Sequence, residues 1–194
     1  MRRICVFCGS KTGVRAAYAQ AARELGEAIA HRGLELVYGG GNLGLMGLLA
    51  DAALAAGGHV IGVLPRGLFS RESPHRGLSE LIEVASMHER KAVMADLADA
   101  FVALPGGFGT CDELFEVVTW AQIGIHSKPI ALMDVEDYFA PLAAFAGQAE
   151  REGFVPPGCA ALLMRLYDVN AVLDFVTSAA LPIIGPTGVE IPQR

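Results

Sequence analysis

Short runs of β-branched and apolar residues alternate along this chain with longer Ala- and Leu-rich segments, and that alternation is the strongest constraint on its fold. Strand, helix and strand in succession build a parallel sheet with helices on its faces. The pattern therefore predicts an α/β protein, a Rossmann-like doubly wound parallel sheet in a single domain. Strands are expected at 4–7, 35–38, 60–64, 100–104, 130–133 and 166–168. Helices are expected at 16–31, 44–55, 89–97, 111–123, 141–151, 159–165 and 171–176, the first of them stopping at Gly33. Residues 65–83, with Gly67, Pro74 and Gly77 among scattered charges, read as one long loop of the kind that often forms a lid. The domain is expected to span 1–180, and 181–194, with Pro182, Pro186 and Pro192, reads as an extended or disordered tail.

Composition removes several function classes. With 53% hydrophobic and 19% charged residues the chain can bury a large core, which excludes an intrinsically disordered protein. Its formal charge of −6, without a Lys/Arg cluster, argues against a nucleic-acid partner. The apolar stretches are short, so no membrane partner is expected, and Met1-Arg2-Arg3 runs straight into a strand rather than a signal-peptide core. A cytoplasmic protein is the expectation. Cys5, Cys8, Cys111 and Cys159 are too scattered for a disulfide framework, and Cys5-Val6-Phe7-Cys8 has no second pair at metal-ligand spacing. His31, His59, His75, His88 and His126 form no ligand spacing either, so no metal or cofactor is expected.

What composition adds is glycine. There are 23 in 194 residues, about 12% against roughly 7% in ordinary proteins. Two clusters stand between a strand and a helix. Gly39-Gly40-Gly41-Asn42-Leu43-Gly44 satisfies G-x-G-x-x-G, which alone suggests a dinucleotide site. A nicotinamide-adenine site also wants an acid at the end of the next strand, and here that strand runs into Leu64-Pro65-Arg66. An NADP site with Arg66 on the 2′-phosphate, a mononucleotide contact and a plain tight turn all fit. The second cluster is Leu104-Pro105-Gly106-Gly107-Phe108-Gly109-Thr110-Cys111-Asp112-Glu113. Its backbone N–H groups and helix dipole converge at the carboxyl edge of the sheet, where an anion would bind. No Gly-Lys-Ser/Thr follows, so it is not the P-loop of an ATPase. Thr110 reads as a helix cap or a hydroxyl donor to phosphate.

Asp112, Glu113 and Glu116 follow, either as charges that complement the dipole or as working carboxylates. A carboxylate beside a bound nucleotide can stabilise, trap or hydrate the oxocarbenium-like state of a broken glycosidic bond. Met87-His88-Glu89-Arg90-Lys91 puts two cations at a helix start, where the dipole disfavours them, so an anionic partner is expected for Arg90 and Lys91. Trp120 reads as core, and Gly9-Ser10 ends the first strand at the same sheet edge.

Met87-His88-Glu89-Arg90-Lys91 paired with Pro105-Gly106-Gly107-Phe108-Gly109-Thr110-Cys111-Asp112-Glu113 resembles the LONELY GUY (LOG) family of cytokinin-activating phosphoribohydrolases, once labelled lysine decarboxylase-like. Cys8-Gly9-Ser10, Tyr38-Gly39-Gly40-Gly41, Gly44-Leu45-Met46-Gly47, and Thr119-Trp120-Ala121-Gln122 with Gly124-Ile125-His126 fit the same pattern in order. The resemblance implies a Rossmann-like homodimer, with its active site near the subunit interface, that hydrolyses the N-glycosidic bond of cytokinin riboside 5′-monophosphates and AMP. Carried over by position, it implies nucleotide contacts at Glu72, Arg90, Lys91, Gly107, Phe108, Gly109, Thr110, Cys111, Asp112, Glu113 and Thr119, with Arg90 and Glu113 catalytic. Gly9, Ser10, Gly40, Gly41 and Met87 are further candidate contacts. No cofactor is implied. A pyridoxal-phosphate decarboxylase would need a Schiff-base lysine in a much larger chain. An NADP-binding oxidoreductase and a non-catalytic nucleotide sensor are the alternative readings.

Overall fold

The computed structural model describes residues 2–66 and 74–178. Among the described residues seven strands, β1 (Arg3–Phe7), β2 (Glu35–Tyr38), β3 (His59–Pro65), β4 (Glu80–Val84), β5 (Ala100–Ala103), β6 (Ile130–Met133) and β7 (Met164–Leu166), form one sheet in the order β4-β3-β2-β1-β5-β6-β7. Every neighbouring pair is parallel. The helices are α1 (Ala16–His31), α2 (Gly44–Ala55), α3 (Met87–Leu97), α4 (Phe108–Gln122), α5 (Ala140–Arg151) and α6 (Val169–Ser178).

Side chains leave a strand alternately to its two faces, so a sheet covered on both sides needs apolar residues at every position. The inner strands meet this requirement apart from Arg3, Glu35 and His59, which open β1, β2 and β3. Ile4 and Val6 of β1 join the core under α1, α2 and α6, with Leu25, Leu49 and Leu173. Cys5 and Phe7 of the same strand point into the opposite core with Met94 of α3 and Leu114 of α4. Trp120 is half-buried against that second core. The doubly wound sheet expected from the alternation is thus the observed one.

Strand order reverses at β1: the chain steps outward from β1 to β4, then returns to place β5 on the other side of β1. In open parallel sheets, ligands bind in the crevice at the carboxyl ends of the strands flanking such a reversal. Here that crevice lies between the segments leaving β1 and β5, which are Cys8–Gly9–Ser10 and the second glycine cluster.

Four expectations need correction. Part of the segment read as a loop, Glu80–Val84, is the edge strand β4; only Val84 in it is buried, and its exposed carboxylates mask the strand pattern. The expected helix over 159–165 is a 3₁₀ turn, Cys159–Leu162, followed by β7, which sits two residues before its expected place. A short apolar run of this kind suits either state, and pairing of Met164, Arg165 and Leu166 beside β6 decides it. Helix α3 starts at Met87 rather than at 89, because Ser86 and Glu89 form a Ser-x-x-Glu cap. The Glu89 N–H donates to Ser86 Oγ at 3.1 Å, and the Ala85 N–H donates to Glu89 Oε2 at 2.6 Å. Helix α4 starts at Phe108 after an N-cap at Gly107, so Thr110 lies inside the first turn rather than capping it. Asp112 and Glu113 fall in the second turn, and the first turn carries no acid. The expected tail at 181–194 and residues 67–73 of the expected loop, Glu72 included, lie outside the described residues. Among the described residues no helix is long and apolar enough to cross a membrane.

Candidate active site

A cleft of about 410 Å³ opens at the strand-order reversal, lined on one side by Cys8, Gly9, Ser10, Lys11, Thr12 and Gly13. Pro105, Gly106, Gly107, Phe108, Gly109 and Thr110 line another side, and Arg90 and Glu113 close it at depth. The two loops are stitched together: the Gly9 N–H donates to the Pro105 carbonyl at 3.1 Å, and the Leu45 N–H donates to the Gly9 carbonyl at 3.0 Å. Gly106 allows that approach. A Cβ there would stand 2.1 Å from Thr110 Oγ1 and 2.9 Å from the Gly9 nitrogen. Because α4 begins at Phe108, its first-turn N–H groups have no partner within the helix, and the residues that carry them line the cleft, the arrangement that binds anions.

Arg90 is the centre of the site. It is 5% exposed, and its guanidinium reaches three separate parts of the chain. Nε donates to the Val63 carbonyl of β3 at 3.0 Å, Nη2 to the Gly39 carbonyl after β2 at 3.0 Å, and Nη1 to Glu113 Oε1 of α4 at 3.1 Å. Two fixed carbonyls and one carboxylate hold the planar fork in one orientation, so Glu113 meets a cation whose position is set by the sheet. The Gly39 position depends on having no side chain, since a Cβ there would lie 1.8 Å from Arg90 Nη2.

The neighbouring cation is paired in parallel. Lys91 Nζ lies 3.0 Å from Asp112 Oδ2 and 3.2 Å from Glu116 Oε1, so α3 and α4 are joined by two adjacent ionic links. Burial alone would lower the Lys91 ammonium, but its hydrogen bonds to Asp112 and Glu116 outweigh this and raise its pKa. The anionic partners expected for Arg90 and Lys91 therefore include the chain's own carboxylates. Cys8 also lines the cleft. Burial pushes its thiol pKa up, the Glu113 charge adds to this, and Arg90 opposes it, an environment that disfavours the thiolate.

Curated proteins include relatives that share about half of their aligned residues with this chain. A probable cytokinin riboside 5′-monophosphate phosphoribohydrolase of Oryza sativa subsp. japonica is 51% identical over 172 residues, 89% of this chain and 76% of the relative. A cytokinin riboside 5′-monophosphate phosphoribohydrolase of Arabidopsis thaliana is 53% identical over 156 residues, 80% of this chain and 73% of that protein. A rice protein of the same description is 53% identical over 154 residues, 79% of this chain and 64% of the relative. The family model described as "Possible lysine decarboxylase" matches residues 46–176. The chain belongs to the LOG family. Its relatives' names are those of hydrolases, and the decarboxylase wording of the family model describes none of them.

Solved structures agree on the fold alone. The molybdenum cofactor binding protein of Rippkaea orientalis matches at TM-score 0.70 and 20% identity, covering 92% of this chain and 97% of that one. The Moco carrier protein of Chlamydomonas reinhardtii matches at TM-score 0.68 and 24% identity, covering 91% and 95%.

The site residues expected for a LOG protein divide into three groups. Arg90, Glu113, Gly107, Phe108, Gly109 and Thr110 meet in the cleft, together with Gly9 and Ser10. Lys91, Cys111, Asp112 and Thr119 stand on α3 and α4 beside it but are not among its lining residues, and Thr119 faces outward. Gly40, Gly41 and Met87 also lie outside the lining. The Gly40 carbonyl accepts from the His75 N–H at 3.0 Å, and the Gly41 carbonyl accepts from the buried Tyr38 hydroxyl at 3.1 Å. Of the first glycine cluster, it is the helix it opens that reaches the cleft, through Leu45 and Met46. The C-terminal motif has a structural use as well: His126 Nε2 lies 2.9 Å from the Val117 carbonyl, and the Lys128 N–H donates to Nδ1 at 3.1 Å, tying the end of α4 to the start of β6. Sequence reasoning missed Lys11, Thr12, Gly13, Tyr18 and Tyr138 in the lining. The lysine could have been found, being one of three in the chain and two residues beyond Gly9.

Proposed function

We propose that this chain hydrolyses the N-glycosidic bond of cytokinin riboside 5′-monophosphates, releasing the free base and ribose 5-phosphate, and that it also accepts AMP. The observation that carries this is the Arg90–Glu113 pair, 3.1 Å apart at the base of a cleft whose wall is the glycine loop and the start of α4. The identity to named phosphoribohydrolases supports the same reading.

In this mechanism the N–H groups of Gly107, Phe108 and Gly109 and the Thr110 hydroxyl take the 5′-phosphate. Glu113, in the next turn of α4, lies at the ribose and stabilises the positive charge that develops at C1′ as the C1′–N bond breaks; a water oxygen bonds to C1′ in its place, and the proton that water gives up balances the one taken by the departing base. Arg90 holds that carboxylate in one orientation and assists the leaving base. Its fixed position lets Glu113 act without reorganisation when charge develops. Lys91, Asp112 and Glu116 keep α3 and α4 in register, and Glu72 is assigned to the nucleotide by position.

The test is to incubate the protein with AMP and with isopentenyladenosine 5′-monophosphate and to follow free base by chromatography, beside Glu113→Gln. The expected outcome is base release by the wild type, reduced at least about 10³-fold in the variant, the scale on which removing an acting carboxylate or charge stabiliser is felt. A wild type that releases no base from either nucleotide at high concentration overturns the reading. A wild type that binds AMP unchanged favours a sensor instead.

The homodimer is part of this proposal. Phe108 (97% exposed), Phe115 (37%) and Ile123 (40%) fall along one outward side of α4, and Thr119 shares it. Such a stripe suits a second copy of the chain, and it would bring Thr119 of one subunit toward the cleft of the other.

A further inference from the structure

Tyr138 stands in the cleft wall without belonging to any motif. The turn that delivers it contains Glu136 at φ 56° and Asp137 at φ 57°, a left-handed conformation that residues other than glycine seldom hold. Such residues persist where their surroundings over-determine them, and they gather at functional sites. The surroundings here are explicit. Arg15 Nη1 donates to Glu136 Oε2 at 2.6 Å, and Arg165 Nη2 donates to Asp137 Oδ1 at 2.8 Å. Asp134, 1% exposed, is paired with Arg165 and accepts from the Phe139 N–H at 2.9 Å, while the Phe139 ring is buried in the core.

All of this fixes one exposed aromatic side chain. The Tyr138 ring meets Tyr18 edge-on at 5.7 Å, and its hydroxyl donates to the Gly106 carbonyl. The preceding carbonyl, of Pro105, is already held by the Gly9 N–H. Two successive carbonyls of the glycine loop are therefore tied down. In a planar trans peptide, the C=O and the N–H that follows it point in opposite directions. Tying the Gly106 carbonyl thus sets the direction of the Gly107 N–H, a donor that catches an anion best when it needs no reorientation.

We propose that Tyr138 is a positioning residue for the anion end of the cleft: its hydroxyl latches the Gly106 carbonyl and so presets the Gly107 N–H for the phosphate of the nucleotide. This rests on the hydrolase reading above for the identity of the anion. Tyr138→Phe keeps the ring, its packing on Tyr18 and the turn, and removes only the latch.

The experiment compares full-length wild type and Tyr138→Phe by calorimetric titration with inorganic phosphate, by steady-state hydrolysis of the nucleoside monophosphate, and by inhibition with free adenine. Losing one hydrogen bond that holds a donor in place is expected to weaken phosphate binding and raise KM together by about 5- to 30-fold. The expected change in kcat is under about threefold, with adenine inhibition unchanged, a split that general destabilisation would not produce. A folded variant with unchanged phosphate affinity and KM overturns the proposal, as does one in which kcat falls and KM does not. If the wild type binds phosphate and hydrolyses nothing, the hydrolase reading fails while the phosphate titration still decides the latch. A wild type that releases base but binds no phosphate overturns the latch and leaves the hydrolase reading standing.

Discussion

Arg90 has the site's least replaceable geometry, because each of its contacts constrains a different segment. Its removal would take the guanidinium 3.1 Å away from a Glu113 side chain that is 11% exposed, and breaking a buried ion pair in this way costs about 3–5 kcal/mol. Gly39 gives the sharper test. Gly39→Ala adds one methyl group against Arg90 Nη2, displacing the guanidinium and Glu113 with it. The expected outcome is a loss of about 1–3 kcal/mol in urea unfolding from overpacking and a fall of about 10²-fold in kcat/KM from misplacement of the carboxylate. Unaltered kinetics in Gly39→Ala would show that Arg90 does not position Glu113. Arg90 and Glu113 were legible in the sequence because each lies in a motif of several residues at fixed spacing. That they bond to each other was not, since 22 intervening residues, β5 among them, separate them before α3 and α4 come together on one face of the sheet. Motif logic finds a cation and its need for an anion; it does not say that the anion is the chain's own carboxylate.

At the level of elements, legibility followed burial. The strands buried on both faces, β1, β2, β3, β5 and β6, stand within two residues of the expected bounds at either end, because every buried position in them must be apolar. The edges β4 and β7 escape this rule. Glu80 and Glu83 are exposed in β4, and Arg165 of β7 spends its side chain on Asp134 and Asp137. Helix α4 begins three residues before its expected start because Gly107 and Gly109, poor helix formers, obscure a helix end held by the loop contacts of Gly106. The turn at 136–137 left no trace in the sequence, where Glu and Asp give no sign of a left-handed backbone. It also makes a prediction. Glu136→Gly relieves a conformation costing roughly 1–2 kcal/mol in an L-residue, partly offset by the greater freedom of glycine in the unfolded chain. The ion pair lost with it, to Arg15, is about half exposed on both sides and contributes little. A rise in the thermal midpoint of about 1–3 °C is expected. A lower midpoint would mean that Arg15 and Glu136 hold the turn more strongly than an exposed pair should.

For the whole molecule, the reversal of strand order at β1 puts the cleft where the two halves of the sheet diverge, so each half supplies one wall and α3 and α4 supply the floor. The outward stripe on α4 begins at the cleft mouth with Phe108 and continues through Phe115. If a second copy covers it, Phe115→Glu converts the wild-type dimer to a monomer in sedimentation equilibrium, through the cost of burying an unpaired carboxylate at the centre of an apolar contact. The monomer is expected to keep its fold and to lose most nucleotide hydrolysis if Thr119 serves the opposite cleft. A wild type that sediments as a monomer at all concentrations would remove the dimer from the proposal.

The close approach of Gly39 to Arg90 also has an evolutionary reading. A Cβ at position 39 would stand 1.8 Å from Arg90 Nη2, and that guanidinium is directed at both the Gly39 carbonyl and Glu113. A substitution at position 39 or 90 thus disturbs the contacts of the other two, on which the proposed mechanism depends. Among descendants of this chain that retain the reaction, the three positions are therefore expected to be inherited as a set, and a lineage that loses the activity should first show it by releasing all three at once.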